Sequence, residues 1–350
     1  MNAVLIGDRV VSASEPPYIV AELSGNHRQC IDEAKRLIAA ACNAGVDAVK
    51  LQTYTPDTLT LPVRNHLFQI HGGLWDGRYL YDLYSEAMTP WEWHAELAEF
   101  ARGLGIELFS TPFDESAVDY LEDQVEPVVY KIASFELNHI PLLEKVGSLG
   151  KPVILSTGMA TLAEIEKAVE VLDDAGASGI ILLKCISAYP AEPSDFNLNA
   201  LPTLAEHFDR VVGLSDHSKG DEICHGAVAL GACLIEKHIV LDRAAGGIDS
   251  GFSLEPSEFA HMVQTVKSLY QGLGSCVPGA SEQDIKQKRF RRSIFVSTPI
   301  NKGEIFSVKN LKIIRPADGL QPSYWDVILG KRAIRDLPAG KPLRLADVGD

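Results

Sequence analysis

The sequence lacks the features of a membrane or exported protein. No apolar run approaches the roughly 18 residues that a bilayer span requires. The amino terminus, MNAVLIGDRVVSASEP, has no basic start followed by an apolar core, which is the pattern of a secretory signal. We therefore expect a cytoplasmic protein with no membrane partner.

Cysteine is scarce, and its spacing excludes two classes of small stabilised domain. None of the six cysteines forms a CxxC pair, so neither a zinc ribbon nor a disulfide framework is expected. Most lie in apolar segments and are predicted to be buried, reduced thiols. They are Cys30, Cys42, Cys185, Cys224, Cys233 and Cys276.

Positive charge is also in short supply. The chain has 32 lysines and arginines against 47 aspartates and glutamates, which gives a net charge of −15. Such a chain repels nucleic acid backbones and anionic lipid, so neither is expected as a partner. An anionic ligand must therefore meet a locally positive pocket.

Apolar side chains, by contrast, are plentiful enough for a substantial core. Hydrophobic residues make up 46% of the chain and charged residues 23%, which excludes disorder as the dominant state. The length of 350 residues allows one barrel-sized domain with a small one, or two domains of medium size.

Short apolar, β-branched runs alternate with helix-like stretches along most of the chain. This alternation predicts parallel strands with right-handed crossovers, and eight units fit a (β/α)8 TIM barrel. A doubly wound open sheet is the alternative. The runs begin near Tyr18, Asp47, Ile106, Val128, Pro152, Ile180, Val211 and Cys233. The helix-like stretches are 31–44, 90–104, 115–122, 141–148, 161–174, 198–207, 221–230 and 256–272.

Two regions depart from this alternation. Residues 55–88 are too long for a plain connection, and we interpret them as an insertion over the barrel mouth. A polar, basic stretch at 281–292 reads as a linker to a domain of short strands, so we assign 1–280 to the barrel and 281–350 to linker and second domain. Within the latter, the spacing of Ile300, Gly303, Phe306, Asn310 and Leu311 recurs at Leu337, Gly340, Leu343, Asp347 and Val348.

Polar residues gather at the carboxyl ends of the eight runs, which is where barrels of this type carry their chemistry. Burying a lysine costs several kcal/mol unless an anion compensates it, yet four runs contain one. Together with nearby serine hydroxyls they suggest a phosphate or carboxylate pocket. The alternative for each is an acidic partner in the helix layer. The lysines are Lys50, Lys131, Lys184 and Lys237.

Two histidines end the seventh and eighth runs. Side chains alternate between the two faces of a strand. Ser215 and His217 therefore lie on one face of the seventh strand, and Glu236 and His238 on one face of the eighth. Two converging imidazoles can hold a divalent ion and leave positions open for substrate oxygen. Hydrogen-bonded core histidines are the alternative, and the spacing does not choose the metal.

Nine sequence motifs occur in order along the chain. They are AELSGNH, KLQTYTPDTLTL, STPFDESAVDYL, YKIASFE, LSTGMATLAEI, LKCISAYPA, GLSDHS, IEKHIVLDRAAGGIDSGFSLEP and IRP. These motifs resemble the sialic acid synthase family. The segment 74–94 and Gly246–Ser250 are similar to its branch of pseudaminic acid synthases, and the end of the chain resembles the small antifreeze-like (SAF) β-rich domain of the family.

This resemblance implies a transferase that condenses phosphoenolpyruvate with a 2,4-diacetamido-2,4,6-trideoxy hexose. It implies that His217 and His238 bind manganese or magnesium, and that Glu22 and Asp249 act with them in catalysis. It further implies a domain-swapped homodimer in which Arg315 of one subunit covers the site of the other. The residues expected to bind substrate are Lys50, Thr111, Lys131, Ser134, Ser156, Tyr189, Ser215 and Arg315.

Three alternatives remain open at this point. The sugar could be that of an N-acetylneuraminate or legionaminate synthase. The chain could bind carbohydrate without turnover, or act as an aldolase with Lys131 or Lys184 as a Schiff base.

Overall fold

Parallel strands alternate with helices through the first 274 residues of the computed structural model, which describes residues 3–274 and 277–350. Each predicted run contains a strand. The strands of this region are β1 (Val4–Ile6), β2 (Arg9–Val11), β3 (Tyr18–Glu22), β4 (Ala48–Thr53), β5 (Glu107–Pro112), β6 (Tyr130–Ile132), β7 (Val153–Ser156), β8 (Ile180–Cys185), β9 (Val211–Asp216) and β10 (Leu234–His238).

Eight of these strands form one sheet, with the hydrogen-bonded order β5-β4-β3-β10-β9-β8-β7-β6. Every neighbouring pair is parallel, and the first strand of the sheet in sequence, β3, pairs with the last, β10. The two ends of the sheet, β5 and β6, also contact one another. The sheet is therefore a nearly closed TIM barrel, as predicted, and not an open doubly wound sheet.

The helices follow the predicted stretches to within a few residues. Gly45 ends α1 with a φ of +85°, and Thr161 begins α7 with a capping box to Glu164. The helices of this region are α1 (Ile31–Ala44), α2 (Pro56–Leu59), α3 (Leu80–Ala87), α4 (His94–Leu104), α5 (Glu115–Gln124), α6 (Ile140–Gly147), α7 (Leu162–Ala175), α8 (Ala200–Phe208), α9 (Glu222–Ala229) and α10 (Pro256–Leu273).

The barrel strands are buried on both faces. One set of side chains packs against the helices, and the other fills the barrel interior. The hairpin β1–β2 closes this interior, because Val4, Ile6 and Val11 belong to the same core cluster as interior residues such as Val20 and Ile181. The hairpin is not predicted from the sequence, because its three-residue strands show no alternation of apolar and polar residues.

The insertion at 55–88 is not a plain loop. It contains α2, α3 and a 3-10 turn at His66–Phe68. The isolated bridge between Gln69 and Tyr79 joins the two sides of the intervening turn.

The chain divides after Gly274, and the remaining residues to Asp350 form a second unit. The predicted boundary after residue 280 stays a prediction. The stretch expected to be a linker holds a short helix. The elements are α11 (Glu282–Gln287), β11 (Ser293–Val296), β12 (Leu311–Ile314), α12 (Trp325–Ile328), β13 (Arg332–Ala333) and β14 (Val348–Gly349).

The internal repeat of this second unit is structural. Ile300 and Leu337, which occupy equivalent positions, pair with each other through both backbone hydrogen bonds. Asn310 accepts a hydrogen bond from the amide of Ser307, and Asp347 accepts the equivalent bond from Arg344. The equivalent Phe306 and Leu343 are both buried in the core of this unit.

The five cysteines in the described part of the chain are free thiols. Cys185, Cys224 and Cys233 are buried, Cys42 is partly exposed and Cys30 is exposed, whereas Cys276 lies outside the described residues. Within residues 3–274 and 277–350, no helix has the length and apolar character needed to cross a membrane.

Candidate active site

The inner face of the barrel mouth holds two buried lysines and two buried carboxylates. Lys50 Nζ lies 2.6 Å from Glu22 Oε2, and Lys131 Nζ lies 2.9 Å from Glu236 Oε1. Glu236 Oε1 is also 3.7 Å from Lys50 Nζ, which links the two pairs. The two lysines are therefore charge-compensated, and their role in binding an anion stays a prediction.

Glu236 lies at the centre of this group. Burial alone raises its pKa, but the charges of Lys131 and Lys50 outweigh burial and lower the pKa to about 2. Ser215 Oγ donates a further hydrogen bond of 3.0 Å to its carboxylate. Sequence analysis placed Glu236 on the same side as His238 without giving it a role, and the cost of burying two lysines was the signal for an anion there.

The other two strand lysines lie on the outer face and do not join this pocket. Lys237 Nζ contacts Asp216 Oδ2 at 2.7 Å and the Ser218 carbonyl at 2.5 Å, and both charged side chains are fully buried. Lys184 follows Leu182 of the outer core by two residues and has no ion pair within the described ranges. The alternative of an acidic partner in the outer layer is thus correct for Lys237, whereas Lys184 lies on the outer face without such a partner among the described residues.

A group of serines lies beside Lys131. Ser134 Oγ accepts a hydrogen bond of 3.0 Å from the Gly158 amide. A Cβ at position 158 would be 2.5 Å from Ser187 Oγ and 2.6 Å from Ser134 Oγ, so the close approach requires glycine. The hydroxyls of Ser156 and Ser187 are buried without a hydrogen-bond partner in the described part of the chain, which leaves donors available for an anion.

His217 and His238 face each other at the mouth, with ring centroids 5.2 Å apart. His217 Nδ1 contacts the Ile186 carbonyl at 2.8 Å, which leaves its Nε2 free for a ligand. Burial and the neighbouring His217 hold the pKa of His238 well below its usual value, so this ring is neutral. The two rings therefore converge as the sequence predicts.

These residues fit a divalent ion as a site with two imidazole ligands. His238 Nδ1 is buried, has no hydrogen-bond partner among the described residues and lies 3.8 Å from Asp249 Oδ2. Across the described ranges, however, no three or more His, Cys, Asp or Glu side chains form a ligand cluster. Water and substrate oxygens would have to complete the coordination, as is usual where a metal site is open.

The remaining predicted barrel residues also meet at this mouth. Glu22 accepts hydrogen bonds from Gln52 Nε2 at 2.9 Å and from the Ser24 amide at 3.1 Å. Burial raises the pKa of Asp249 to about 6, although Ser24 Oγ donates to its carboxylate. The ring of Tyr189 lies 4.5 Å from that of His217.

Two further residues are predicted to bind substrate: Thr111 lies beside Lys50, and Arg315 lies in the second unit. Thr111 Oγ1 accepts a hydrogen bond of 3.2 Å from Lys50 Nζ and so orients that ammonium. Arg315 belongs to the second unit, where it is exposed and borders a surface depression with Arg291, Arg292 and Phe290. Its predicted role at the barrel of another subunit stays a prediction.

Comparison with known proteins agrees with this architecture. The NeuB family profile matches residues 37–277, which include the mouth residues from Lys50 to Asp249. The chain belongs to the NeuB family. A SAF domain profile matches residues 291–349, so this member carries a SAF domain at its carboxyl end. Both findings confirm the family and the fold predicted from the sequence.

Relatives of this NeuB family member are similar over nearly their whole length. Pseudaminic acid synthase of Campylobacter jejuni is 44% identical, over 94% of this chain and 96% of its own. Pseudaminic acid synthase of Helicobacter pylori is 43% identical, over 95% and 98%. The crystal structure of N-acetylneuraminic acid synthetase from Leptospira borgpetersenii is 34% identical, with a TM-score of 0.73 over 82% of this chain and 96% of its own.

Proposed function

We propose that the protein is a pseudaminic acid synthase. It condenses phosphoenolpyruvate with 2,4-diacetamido-2,4,6-trideoxy-L-altrose and water, and it releases pseudaminic acid and phosphate. The observation that carries this proposal is the convergence of lysines, carboxylates, unpaired serine hydroxyls and two imidazoles on the inner face of one barrel mouth. The identity of 44% to a pseudaminic acid synthase over 94% of the chain supports the choice of sugar.

Phosphoenolpyruvate is proposed to bind among Lys50, Lys131 and the serines. Ser156 and Ser187 have buried hydroxyls that find no partner within residues 3–274 and 277–350, so an anionic oxygen would satisfy donors whose isolation is otherwise costly. Ser134 and the Gly158 amide lie beside them. Glu236, which accepts a hydrogen bond from Ser215, holds Lys131, and Thr111 holds Lys50, so both ammonium groups are oriented before the ligand arrives.

His217 and His238 are proposed to hold manganese or magnesium. Such an ion, when bound, supplies Lewis acidity that polarises a carbonyl oxygen. The contact between His217 Nδ1 and the Ile186 carbonyl fixes the orientation of that ring. Phe252 packs against both imidazoles, with ring centroids 4.9 Å from His238 and 6.0 Å from His217, and excludes water from one side.

The reaction forms one carbon–carbon bond and breaks one carbon–oxygen bond. The methylene carbon of phosphoenolpyruvate adds to the aldehyde carbon of the sugar, and the aldehyde oxygen takes up a proton to become a hydroxyl. Water then adds to the enol carbon, and phosphate leaves with the bridging oxygen. We propose that Glu22 and Glu236 stabilise positive charge at the enol carbon, and that Glu22 and Asp249 exchange protons with hydroxyl groups.

A product-identified assay tests this proposal. The protein is incubated with phosphoenolpyruvate and a panel of 2-acetamido and 2,4-diacetamido sugars, and products are identified by mass spectrometry and NMR. We expect pseudaminic acid and an equal amount of phosphate. Preference for N-acetylmannosamine would make the protein a sialic acid synthase, and sugar binding without phosphate release would make it a non-catalytic binder. Trapping of a pyruvate adduct on a lysine by borohydride would indicate an aldolase.

We also propose a homodimer in which Arg315 of one subunit completes the barrel site of the other. A complementation assay tests this exchange. Arg315→Ala and Lys131→Met variants, each inactive alone, are dissociated and reassociated together. Because a mixed dimer would contain one intact site, we expect activity to return to about a quarter of wild type. No recovery despite mixed dimers would contradict the exchange.

A further inference from the structure

A single tryptophan connects the insertion to the barrel mouth. Trp75 lies in the turn between α2 and α3, and its ring centroid is 5.5 Å from that of Tyr189. Its indole Nε1 donates a hydrogen bond of 3.2 Å to the carbonyl of Ile248. Trp75 therefore contacts the loops that follow two different barrel strands, β8 and β10.

These contacts continue to the two imidazoles. The Tyr189 ring packs on His217 with centroids 4.5 Å apart and on Phe252 at 5.6 Å. Phe252 in turn packs on His238 at 4.9 Å. The indole is thus the outermost ring of a continuous aromatic group that begins at the proposed aldehyde-binding end of the site.

The chemistry of the indole decides what it can offer a ligand. Indole has one hydrogen-bond donor and no acceptor, and the Ile248 carbonyl already uses that donor. Since the side chain is only partly buried, the surface that remains available is apolar ring. Such a surface favours methyl groups and disfavours hydroxyls, which would lose hydrogen bonds to water against it.

We propose that Trp75 is a specificity-determining residue that forms an apolar wall of the sugar site. This inference rests on the proposed function. It specifies the groups of the sugar that Trp75 contacts, which are the methyl groups of the acetamido substituents and of the deoxygenated C6. A 2,4-diacetamido-2,4,6-trideoxy hexose has three such methyls, whereas N-acetylmannosamine has one methyl and more hydroxyls. The wall therefore favours the former.

Other apolar side chains of the insertion differ from Trp75. Leu67 and Leu74 are 73% and 49% exposed, and neither takes part in the aromatic group at the mouth. Leu74 is the immediate neighbour of Trp75, so it provides a control in the same turn. A general effect of disturbing the insertion would appear in both positions.

Three variants separate the ring face from the donor. Trp75→Phe keeps an aromatic face and loses the donor, whereas Trp75→Gln keeps a donor and loses the face. Trp75→Ala loses both, and Leu74→Ala is the control. For each variant, kcat and KM are measured for the diacetamido sugar, for N-acetylmannosamine and for phosphoenolpyruvate, and folding is checked by circular dichroism.

We expect Trp75→Gln and Trp75→Ala to lower kcat/KM for the diacetamido sugar about tenfold, mainly through KM, because one or two methyl contacts are worth about this factor. We expect Trp75→Phe and Leu74→Ala to stay within about threefold of wild type. The KM for phosphoenolpyruvate should not change, and the preference over N-acetylmannosamine should fall. Even if Trp75→Ala fails to fold, the Phe and Gln variants decide the question.

Equal losses for both sugars, a changed KM for phosphoenolpyruvate, or a Phe variant weaker than the Gln variant would overturn the inference, because each indicates a structural role. Unchanged kinetics in all variants would overturn it as well. If the wild-type protein itself does not turn over the diacetamido sugar, the proposed function fails, and the inference fails with it. The wild-type and variant measurements thus distinguish the two failures.

Discussion

On the inner face of the barrel, Lys50 and Lys131 pair with carboxylates that lie at the mouth, whereas on the outer face Lys237 pairs with Asp216 beneath the helices. Histidines divide in the same way. His217 and His238 converge at the mouth, and His94 in the outer layer bonds Thr53 at 2.8 Å. For the lysines, the comparison shows that strand parity, rather than residue type, separates the groups at the barrel mouth from those in the outer layer.

The largest expected effect concerns the inner imidazoles. Chelation of divalent ions should abolish condensation, and added manganese or magnesium should restore it in the wild type. His217→Ala and His238→Ala should prevent restoration because each would remove one of the two proposed protein ligands. Full activity of either variant in the presence of chelator, measured by phosphate release, would contradict the proposed role of these histidines as metal ligands.

An inner-face lysine should matter for turnover. Lys131→Met removes an ammonium proposed to contact phosphoenolpyruvate and leaves Glu236 partly uncompensated. We expect a loss in kcat/KM of about 10²–10³-fold, typical of losing one preorganised charged group. The matched outer-face variant, Lys237→Met, should retain most turnover per folded molecule. Equal losses of kcat/KM in Lys131→Met and Lys237→Met would contradict the distinction between inner-face and outer-face lysines.

The outer-face pair should instead affect stability. Lys237→Met leaves the fully buried Asp216 without its partner, which costs about 3–5 kcal/mol in the free energy of unfolding. Urea unfolding monitored by fluorescence measures this change. The double variant Asp216→Leu with Lys237→Met should recover part of the loss, because an apolar pair of similar volume avoids the buried charge. A double variant less stable than the single one would argue against this explanation.

Two buried histidines outside the mouth pair, His27 in the turn after β3 and His94 at the start of α4, predict how stability depends on pH. Burial lowers the pKa of His27 and His94 to about 4. Between pH 6.5 and 4 the unfolded chain binds protons that the folded chain excludes, so the free energy of unfolding falls as pH falls. The slope is at most about 1.4 kcal/mol per pH unit for each histidine.

Urea titrations at pH 7, 6 and 5 measure this slope. Protonation of Asp249, whose pKa is raised to about 6, acts in the opposite direction, so the informative quantity is the difference from a variant. His94→Gln retains a donor for Thr53 and should lower the slope by at most about 1.4 kcal/mol per pH unit. Identical slopes in the wild type and the variant would contradict the assignment.

The smallest effect is expected at Lys184. Burial lowers the pKa of this outer-face lysine, and it has no ion pair within the described residues. Lys184→Met should therefore change the free energy of unfolding by no more than about 0.5 kcal/mol. Turnover should also stay near that of the wild type. A loss of turnover comparable to that of Lys131→Met would contradict the assignment of Lys184 to the outer face.

The sequence predicts much of the barrel, and the reasons for its failures are physical. The strands carry continuous apolar runs because both of their faces are buried. The sequence therefore shows where each strand lies, but it does not show which of its side chains face the barrel interior. Alternation therefore relates Glu236 to His238 without showing which side is the interior, and it does not separate Lys131 from Lys237.

Other features depend on contacts that are distant along the chain. The Glu236–Lys131 pair joins residues on strands four apart in the sheet, and Trp75 reaches Ile248 across 173 positions. No local pattern encodes such pairs. The internal repeat of the second unit, by contrast, follows from spacing, because the same side chains recur at equivalent turns.

The most direct test follows the bridging oxygen of phosphoenolpyruvate. The protein is incubated with the diacetamido sugar and phosphoenolpyruvate labelled with ¹⁸O between C2 and phosphorus, and the released phosphate is analysed by mass spectrometry. Attack from the methylene carbon with cleavage of the carbon–oxygen bond predicts that the label appears in phosphate, together with one equivalent of pseudaminic acid. Unlabelled phosphate, or phosphate without a nine-carbon product, would contradict the account.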